Sequence, residues 1–166
     1  MKPITFVGEN LFLGNIGHFF VVVAFVCALL SVIFYTKSSK SQSLGRVFFI
    51  SHVVAVLGVF ITLFIIIQGH HYEYAYAYEH SSNSLPLRYM ISCFWEGQEG
   101  SFLLWMVWNA ILGLVLIFTA KRWERGVVAI MALSQVVLTS MILGVDVFGV
   151  YKLGSSPFEL LRDKMK

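Results

Sequence analysis

Four long apolar runs set the pattern of this chain, and each is apolar on every side of a helix rather than along one stripe. The runs cover residues 16–35, 47–68, 102–120 and 126–147. A helix needs about 20 apolar residues to cross a hydrocarbon core of about 30 Å. The pattern therefore predicts a single all-α integral membrane domain over residues 1–166, with four transmembrane helices. The glycines inside these runs are predicted to let the helices pack closely; they are Gly17, Gly58, Gly113 and Gly144.

The composition favours a membrane protein over a soluble one. Of the 166 residues, 58% are hydrophobic and only 13% are charged, and the mean hydropathy is +0.78. A soluble domain of this size leaves much of its surface in water, so it cannot hide so much apolar area. The net charge of +3 lies in short basic clusters, which indicates topology signals and argues against nucleic-acid binding. Cys27 and Cys93 form no CxxC pair, so neither a thioredoxin-like site nor a zinc site is indicated.

The basic residues predict the orientation of the helices. Segments 36–46 and 121–125 are rich in Lys and Arg, whereas segment 69–100 holds a single Arg together with four Glu. Lys and Arg concentrate in the cytoplasmic loops of membrane proteins. We therefore expect both short segments in the cytoplasm, and both chain termini and the outer loop, 69–101, on the opposite side.

The outer loop is rich in aromatic residues. Tyr72, Tyr74, Tyr76 and Tyr78 alternate strictly, so an extended segment would project all four from one side. Such a row is either an interfacial aromatic belt or a wall that faces a ligand. Leu85-Pro86 indicates a turn or a helix start, and residues 87–95 are apolar enough to form a short interfacial helix.

Residues 95–101, Trp-Glu-Gly-Gln-Glu-Gly-Ser, lead directly into the third apolar run. The glycines allow tight backbone geometry or the close approach of a flat ligand, and Ser101 is a plausible helix N-cap. Trp105 and Trp108 are three residues apart and share one helix face. That pair either anchors the helix at the membrane interface or stacks on a macrocycle.

Histidines are the residues to consider for haem ligation. His18 is expected about 3 Å below the outer end of the first helix and His52 about 8 Å above the inner end of the second. In a core of about 30 Å the two differ in depth by roughly 20 Å, so one iron cannot bind both. His18 can instead approach His70 or His71 near the outer surface. A functional role and a structural hydrogen bond both remain open for His52.

One part of the chain is recognisable. Residues 76–105 resemble the first large periplasmic segment of CcmF-type cytochrome c biogenesis proteins, which belong to a haem-handling superfamily that includes the CcsA proteins. The matching positions of the tryptophan-rich signature are Trp95, Gln98, Glu99, Gly100, Ser101, Leu103, Leu104 and Trp105. Glu96 stands where the family usually has Gly, and Phe102 where it has Leu. Gly17-His18 and Ser155-Ser156-Pro157-Phe158 are similar to two further family motifs.

The resemblance implies a membrane component of cytochrome c maturation, which assists haem delivery and attachment to apocytochrome c. It implies haem as cofactor and the bacterial cytoplasmic membrane as location, with the outer loop periplasmic. It also implies partners: the lipid bilayer, other maturation components, apocytochrome c and a carboxy-terminal half of the same family. The family's Trp-rich WWD loop and His-Pro-Pro segment are absent from the sequence. We therefore expect an amino-terminal piece of a larger haem-handling protein, which is not a complete haem lyase by itself.

The candidate residues for a haem or partner surface all lie on the predicted outer side. They are Trp95, Gln98, Glu99, Gly100, Trp105, Trp108, His18, His70 and His71. The sequence assigns no catalytic residue and no metal ligand set. Two alternatives remain open at this point: a respiratory membrane-anchor subunit that binds haem b or quinone, and a structural packing module without a ligand of its own.

Overall fold

The computed structural model describes residues 9–83, 86–147 and 151–164, and only the backbone of residues 87, 88, 145–147 and 151–153. Within these ranges, four helices are long and apolar enough to cross a membrane. They are α1 (Leu11–Lys37), α2 (Gln42–Gln68), α5 (Gln98–Thr119) and α6 (Glu124–Leu143). The shorter helices are α3 (Ala75–His80), α4 (Leu87–Met90) and α7 (Leu161–Lys164). The predicted all-α integral membrane fold with a partly helical loop is therefore confirmed.

The four long helices form a closed bundle. Each packs against the next in the chain, and α6 returns to pack against α1. Consequently α1 and α5 lie at opposite corners, as do α2 and α6. Short 3-10 turns, Ser39–Ser41 and Lys121–Trp123, connect the helices at one end, which we call the turn end. The opposite end, the loop end, carries residues 69–97 and 144–164.

The last long helix is shorter than the sequence predicts. It ends at Leu143 and not near Val147, because Gly144 adopts a left-handed conformation with φ of 68° and caps it. The strand β1 (Val145–Val147) then pairs antiparallel with β2 (Tyr151–Leu153). Gly144 therefore stops the helix, and the prediction that it packs inside one is wrong. By contrast, a Cβ at Gly58 or Gly113 would collide with Phe20 or Phe49, so these glycines do serve close packing.

A charge cluster around the buried carboxylate of Glu124 closes the turn end. Both Nε and Nη2 of Arg46 lie 2.5 Å from the carboxylate of Glu124, which also accepts a hydrogen bond of 3.1 Å from the Tyr35 hydroxyl. Arg125 donates to the carbonyls of Tyr35 and Thr36 at 2.7 and 2.8 Å. These are the unsatisfied carbonyls at the carboxyl end of α1, so Arg125 caps that helix.

A second polar group of contacts lies midway along the bundle and links all four long helices. The ring Nδ1 of His52, on α2, is 2.8 Å from the carbonyl of Ala24, on α1. The side chain of Gln135, on α6, lies beside His52 and donates a hydrogen bond of 2.8 Å to the carbonyl of Met106, on α5. His52 and Gln135 are completely buried. His52 therefore makes the interhelical hydrogen bond that one of the two sequence interpretations proposed.

Candidate functional site

The carboxy-terminal segment, residues 154–164, crosses the loop end and joins it together. The amide of Ala75 donates to the carbonyl of Glu159 at 3.0 Å, and the amide of Leu161 donates to the carbonyl of Glu73 at 2.8 Å. Between them, Tyr74 and Leu160 form an antiparallel bridge. The segment is therefore attached to the loop by backbone pairing, which no local sequence pattern predicts.

Charged and polar side chains of this segment bind acidic residues from three other parts of the chain. Arg162 pairs with Glu9 at 2.8 Å, and Lys164 pairs with Glu79 at 2.7 Å. The Ser155 hydroxyl donates a short hydrogen bond to the carboxylate of Glu99. Glu99, a predicted haem or partner contact, is thus engaged by the chain's own last segment.

Two glycines of α1 receive aromatic rings at the loop end. A Cβ at Gly17 would lie 2.4 Å from the ring of Phe158, and a Cβ at Gly14 would lie 2.7 Å from the ring of Tyr74. The Tyr74 hydroxyl donates to the carbonyl of Asn10 at 2.5 Å and accepts from the amide of Gly14 at 2.7 Å. The Gly17-His18 motif and the Ser155–Phe158 motif are therefore in direct contact.

A cleft of about 300 Å³ opens beside these contacts. Its walls come from the start of α1, from the end of α6 and from the carboxy-terminal segment. The exposed side chain of His18 lines it, together with Asn15, Ser156 and Glu159. This volume lies at the lower limit for ligand pockets, which span about 300–1,000 Å³.

The glycines of the tryptophan-rich signature make room for Tyr76. A Cβ at Gly100 would collide with the carbonyl oxygen of Phe94 and with the Tyr76 hydroxyl, and a Cβ at Gly97 would meet the rings of Tyr76 and His80. The Tyr76 hydroxyl donates to the carbonyls of Cys93 and Phe94 at 2.8 and 3.1 Å. Burial raises the pKa of Tyr76, so this hydroxyl stays a proton donor. The flat group that approaches Gly100 is therefore a tyrosine of the same chain.

Two predictions about the loop are wrong. Tyr72, Tyr74, Tyr76 and Tyr78 do not project from one side, because residues 75–80 form a helix; Tyr74 and Tyr76 are buried, whereas Tyr78 is exposed. Ser101 is not the N-cap of α5, which begins at Gln98 after Gly97; its hydroxyl donates to the carbonyl of Trp95 at 3.1 Å. Pro86 does precede a short helix, α4, as expected, whereas Leu85 lies outside the described residues.

The loop histidines each have a defined partner at Nδ1. His70 is 3.0 Å from the Tyr72 hydroxyl, and His71 is 3.1 Å from the carboxylate of Glu73. His80, for which the sequence makes no prediction, stacks on Tyr76 with ring centroids 4.5 Å apart, and its Nδ1 lies 3.0 Å from the Tyr76 carbonyl oxygen. Neither His70 nor His71 lines the cleft with His18. Within the described ranges, no three His, Cys, Asp or Glu side chains could together hold a metal ion.

The remaining predicted site residues lie on the surface. Gln98 is exposed, and the exposed fractions of Trp95, Trp105 and Trp108 are 44%, 67% and 57%. These tryptophans are available to a ligand, a partner or lipid. Sequence reasoning did not identify Tyr74, Tyr76 and Phe158 as the residues that shape this end. The local sequence feature that points to these rings is the glycines that they pack against, such as Gly17 and Gly100.

The fold matches that of a solved protein, although sequence comparisons find no counterpart. No protein-family model matches the chain, and no curated protein sequence matches it significantly. The chain superposes on the cytochrome c heme lyase CcmF with a TM-score of 0.75 and 20% sequence identity. The match covers 96% of this chain and 27% of that protein. The chain therefore has the fold of one part of CcmF, in agreement with the resemblance in sequence.

Proposed function

We propose that this chain is a membrane component of cytochrome c maturation, which assists haem delivery and attachment to apocytochrome c. The observation that carries the proposal is the meeting of separate motifs at the loop end. Phe158 of the last motif packs on Gly17 of the first, and Ser155 of the last motif binds Glu99 of the tryptophan-rich signature. Three motifs that resemble the same family, and that lie more than 50 residues apart, are thus in contact at the loop end.

The described residues do not form a complete haem site. Only one histidine, His18, lines the cleft, and its volume of about 300 Å³ is small for a macrocycle. A haem would therefore need residues from another polypeptide segment. The contribution of this chain is positional: an exposed aromatic side chain at Trp95 and a cleft wall at His18. The residues next to them are packed, since Phe94 stacks on Phe60 and Gly17 receives the ring of Phe158.

The proposal places the loop end on the outer side of the cytoplasmic membrane, with both termini there. The charge distribution supports this orientation. Four exposed basic residues lie at the turn end, where the positive-inside rule expects them: Lys37, Lys40, Lys121 and Arg122. At the loop end, exposed Lys164 is paired with Glu79. The loop end would then face the compartment in which haem is attached to apocytochrome c.

The test is haem staining of c-type cytochromes in a host whose own copy of this chain is replaced by variants. Trp95→Ala is expected to lower holocytochrome c, because it removes an exposed ring from the loop end. Trp123→Ala is the matched control, since Trp123 is 74% exposed but lies at the turn end. Normal maturation by Trp95→Ala at normal protein level, or equal losses in both variants, would contradict the site.

A further inference from the structure

All four tryptophans of the chain lie in or beside α5, and two of them occupy its middle. Trp105 and Trp108 point away from the bundle, with exposed fractions of 67% and 57%. Leu112, one turn beyond Trp108, is 54% exposed. We call the surface formed by Trp105, Trp108 and Leu112 the tryptophan face.

The tryptophan face lies too deep in the membrane for an interfacial belt. At a rise of about 1.5 Å per residue, Trp108 is about 15 Å from Gln98 and about 17 Å from Thr119, the two ends of α5. Trp108 is therefore close to the centre of a hydrocarbon core of about 30 Å. Tryptophans that anchor helices lie instead at the level of the headgroups, as Trp123 does beside Lys121 and Arg122.

The other helices show what a lipid-facing surface of this protein is made of. The large exposed residues in the middle of α1, α2 and α6 are hydrocarbon side chains without a hydrogen-bonding group. One is aromatic, Phe19, and the others are aliphatic: Val22, Val26, Leu29, Ile33, Ile50, Val54, Leu57, Ile61, Ile130, Leu133 and Val137. None of these three helices contains a tryptophan. The middle of α5 therefore differs in kind from three surfaces of the same molecule at the same depth.

The tryptophan face also carries polar groups that lipid tails cannot satisfy. Among the described residues, neither the indole N–H of Trp105 nor that of Trp108 has a hydrogen-bond acceptor. A polar group without a partner costs free energy in hydrocarbon, and a buried indole N–H is normally bonded. The face therefore requires an occupant that offers hydrogen-bond acceptors at mid-membrane depth.

We propose that the tryptophan face binds a transmembrane helix of another polypeptide segment, one that presents small residues and hydrogen-bond acceptors to the indoles. A polypeptide at this depth must be helical, because its backbone groups cannot bond to water. Small residues let such a helix approach two large rings. A metal-bound macrocycle fits less well, since α5 contains no histidine to ligate it. The solved protein with this fold, of which the chain spans 27%, is a larger chain that embeds such a bundle.

The experiment is site-specific photocrosslinking of the full chain in its native membrane. Benzoylphenylalanine replaces Trp108 or Leu112 on the tryptophan face, and Leu57 or Leu133 on the aliphatic faces as matched controls with similar exposure. Adducts are identified by mass spectrometry. We expect peptide adducts from positions 108 and 112 that map to an apolar stretch of about 18 residues or more, and lipid adducts from positions 57 and 133.

Lipid adducts at all four positions, or adducts at 108 and 112 only to haem or to a water-soluble segment, would overturn the proposal. A second measurement is the copurification of the identified partner with variants that carry no benzoylphenylalanine. Trp108→Phe keeps an aromatic ring but removes the N–H, and should lower copurification of that partner roughly threefold, as for one interhelical hydrogen bond. Trp123→Phe should leave copurification unchanged; equal yields from both variants would overturn the role of the indole. The result does not depend on cytochrome c maturation.

Discussion

The two ends of the bundle are closed by different chemistry. The turn end has two short connections and one half-buried ion pair, in which Arg46 and Tyr35 bind the enclosed carboxylate of Glu124. The loop end is closed by aromatic rings that fit against glycines, as Phe158 does on Gly17, and by a carboxy-terminal segment paired with the loop.

The contacts at the turn end fix the helices, whereas those at the loop end also shape a surface. The ion pair and the Tyr35 hydroxyl hold three helices together around a carboxylate that is 1% exposed. At the loop end, many separate contacts hold the segments together, and they leave a cleft and an exposed Trp95. We therefore expect substitutions at the turn end to act on stability alone, and substitutions at the loop end to act on stability and on function.

The largest effect is expected at the turn end. Arg46→Met leaves the Glu124 carboxylate buried without its cation, and breaking such pairs costs about 3–5 kcal/mol when both partners are buried. Because the Arg46 side chain is 46% exposed, we expect about 2–3 kcal/mol in an SDS unfolding titration. Arg122→Met, at an exposed position of the same end, should change stability little. Equal losses in both variants would show that the ion pair does not close this end.

A smaller loss is expected from overpacking the loop end. The methyl group of Gly17→Ala would lie 2.4 Å from the ring of Phe158, so the ring must move, at a cost of about 1–3 kcal/mol. Gly126→Ala, at the start of α6, is the matched control because its methyl group would meet nothing within 4 Å. It should leave stability unchanged or raise it slightly. If Gly17→Ala is as stable as the unchanged protein, the glycine–ring contact does not define this end.

The smallest effect concerns the reactivity of one thiol, with no change in stability. Burial, and after it the negative charge of Glu96, raises the pKa of Cys93, so less of this thiol is the reactive thiolate at pH 8. A membrane-impermeant maleimide added to intact cells should label Cys93 slowly, and the exposed thiol of Ser92→Cys quickly. A Lys40→Cys thiol at the turn end should stay unlabelled until the membrane is opened. Fast labelling of the Lys40→Cys thiol in intact cells would contradict the proposed orientation of the helices in the membrane.

Much of the bundle follows from local patterns, but its ends do not. The apolar runs predicted the four helices because the length of such a run is enough to identify a transmembrane segment. The end of α6 was missed, since the apolar pattern continues past Gly144 and only the left-handed conformation of that glycine stops the helix. The row of alternating tyrosines likewise gives a wrong prediction, because distant contacts decide its conformation. Its alternation suits a strand, whereas contacts made by Tyr74 and Tyr76 hold a helix there.

The sequence alone determined the number of membrane helices, the basic character of the turn end and the resemblance of three motifs to one family. These are properties of neighbouring residues, so no distant contact is needed to see them. Only the tertiary structure decided that Gly100 receives Tyr76, that Gly17 receives Phe158 and that Glu99 is bound by Ser155. Those pairs lie 24, 141 and 56 residues apart, and contacts over such separations arise from packing of the whole bundle. For the same reason, only the packed bundle revealed that Trp108, in the middle of α5, points away from the other long helices.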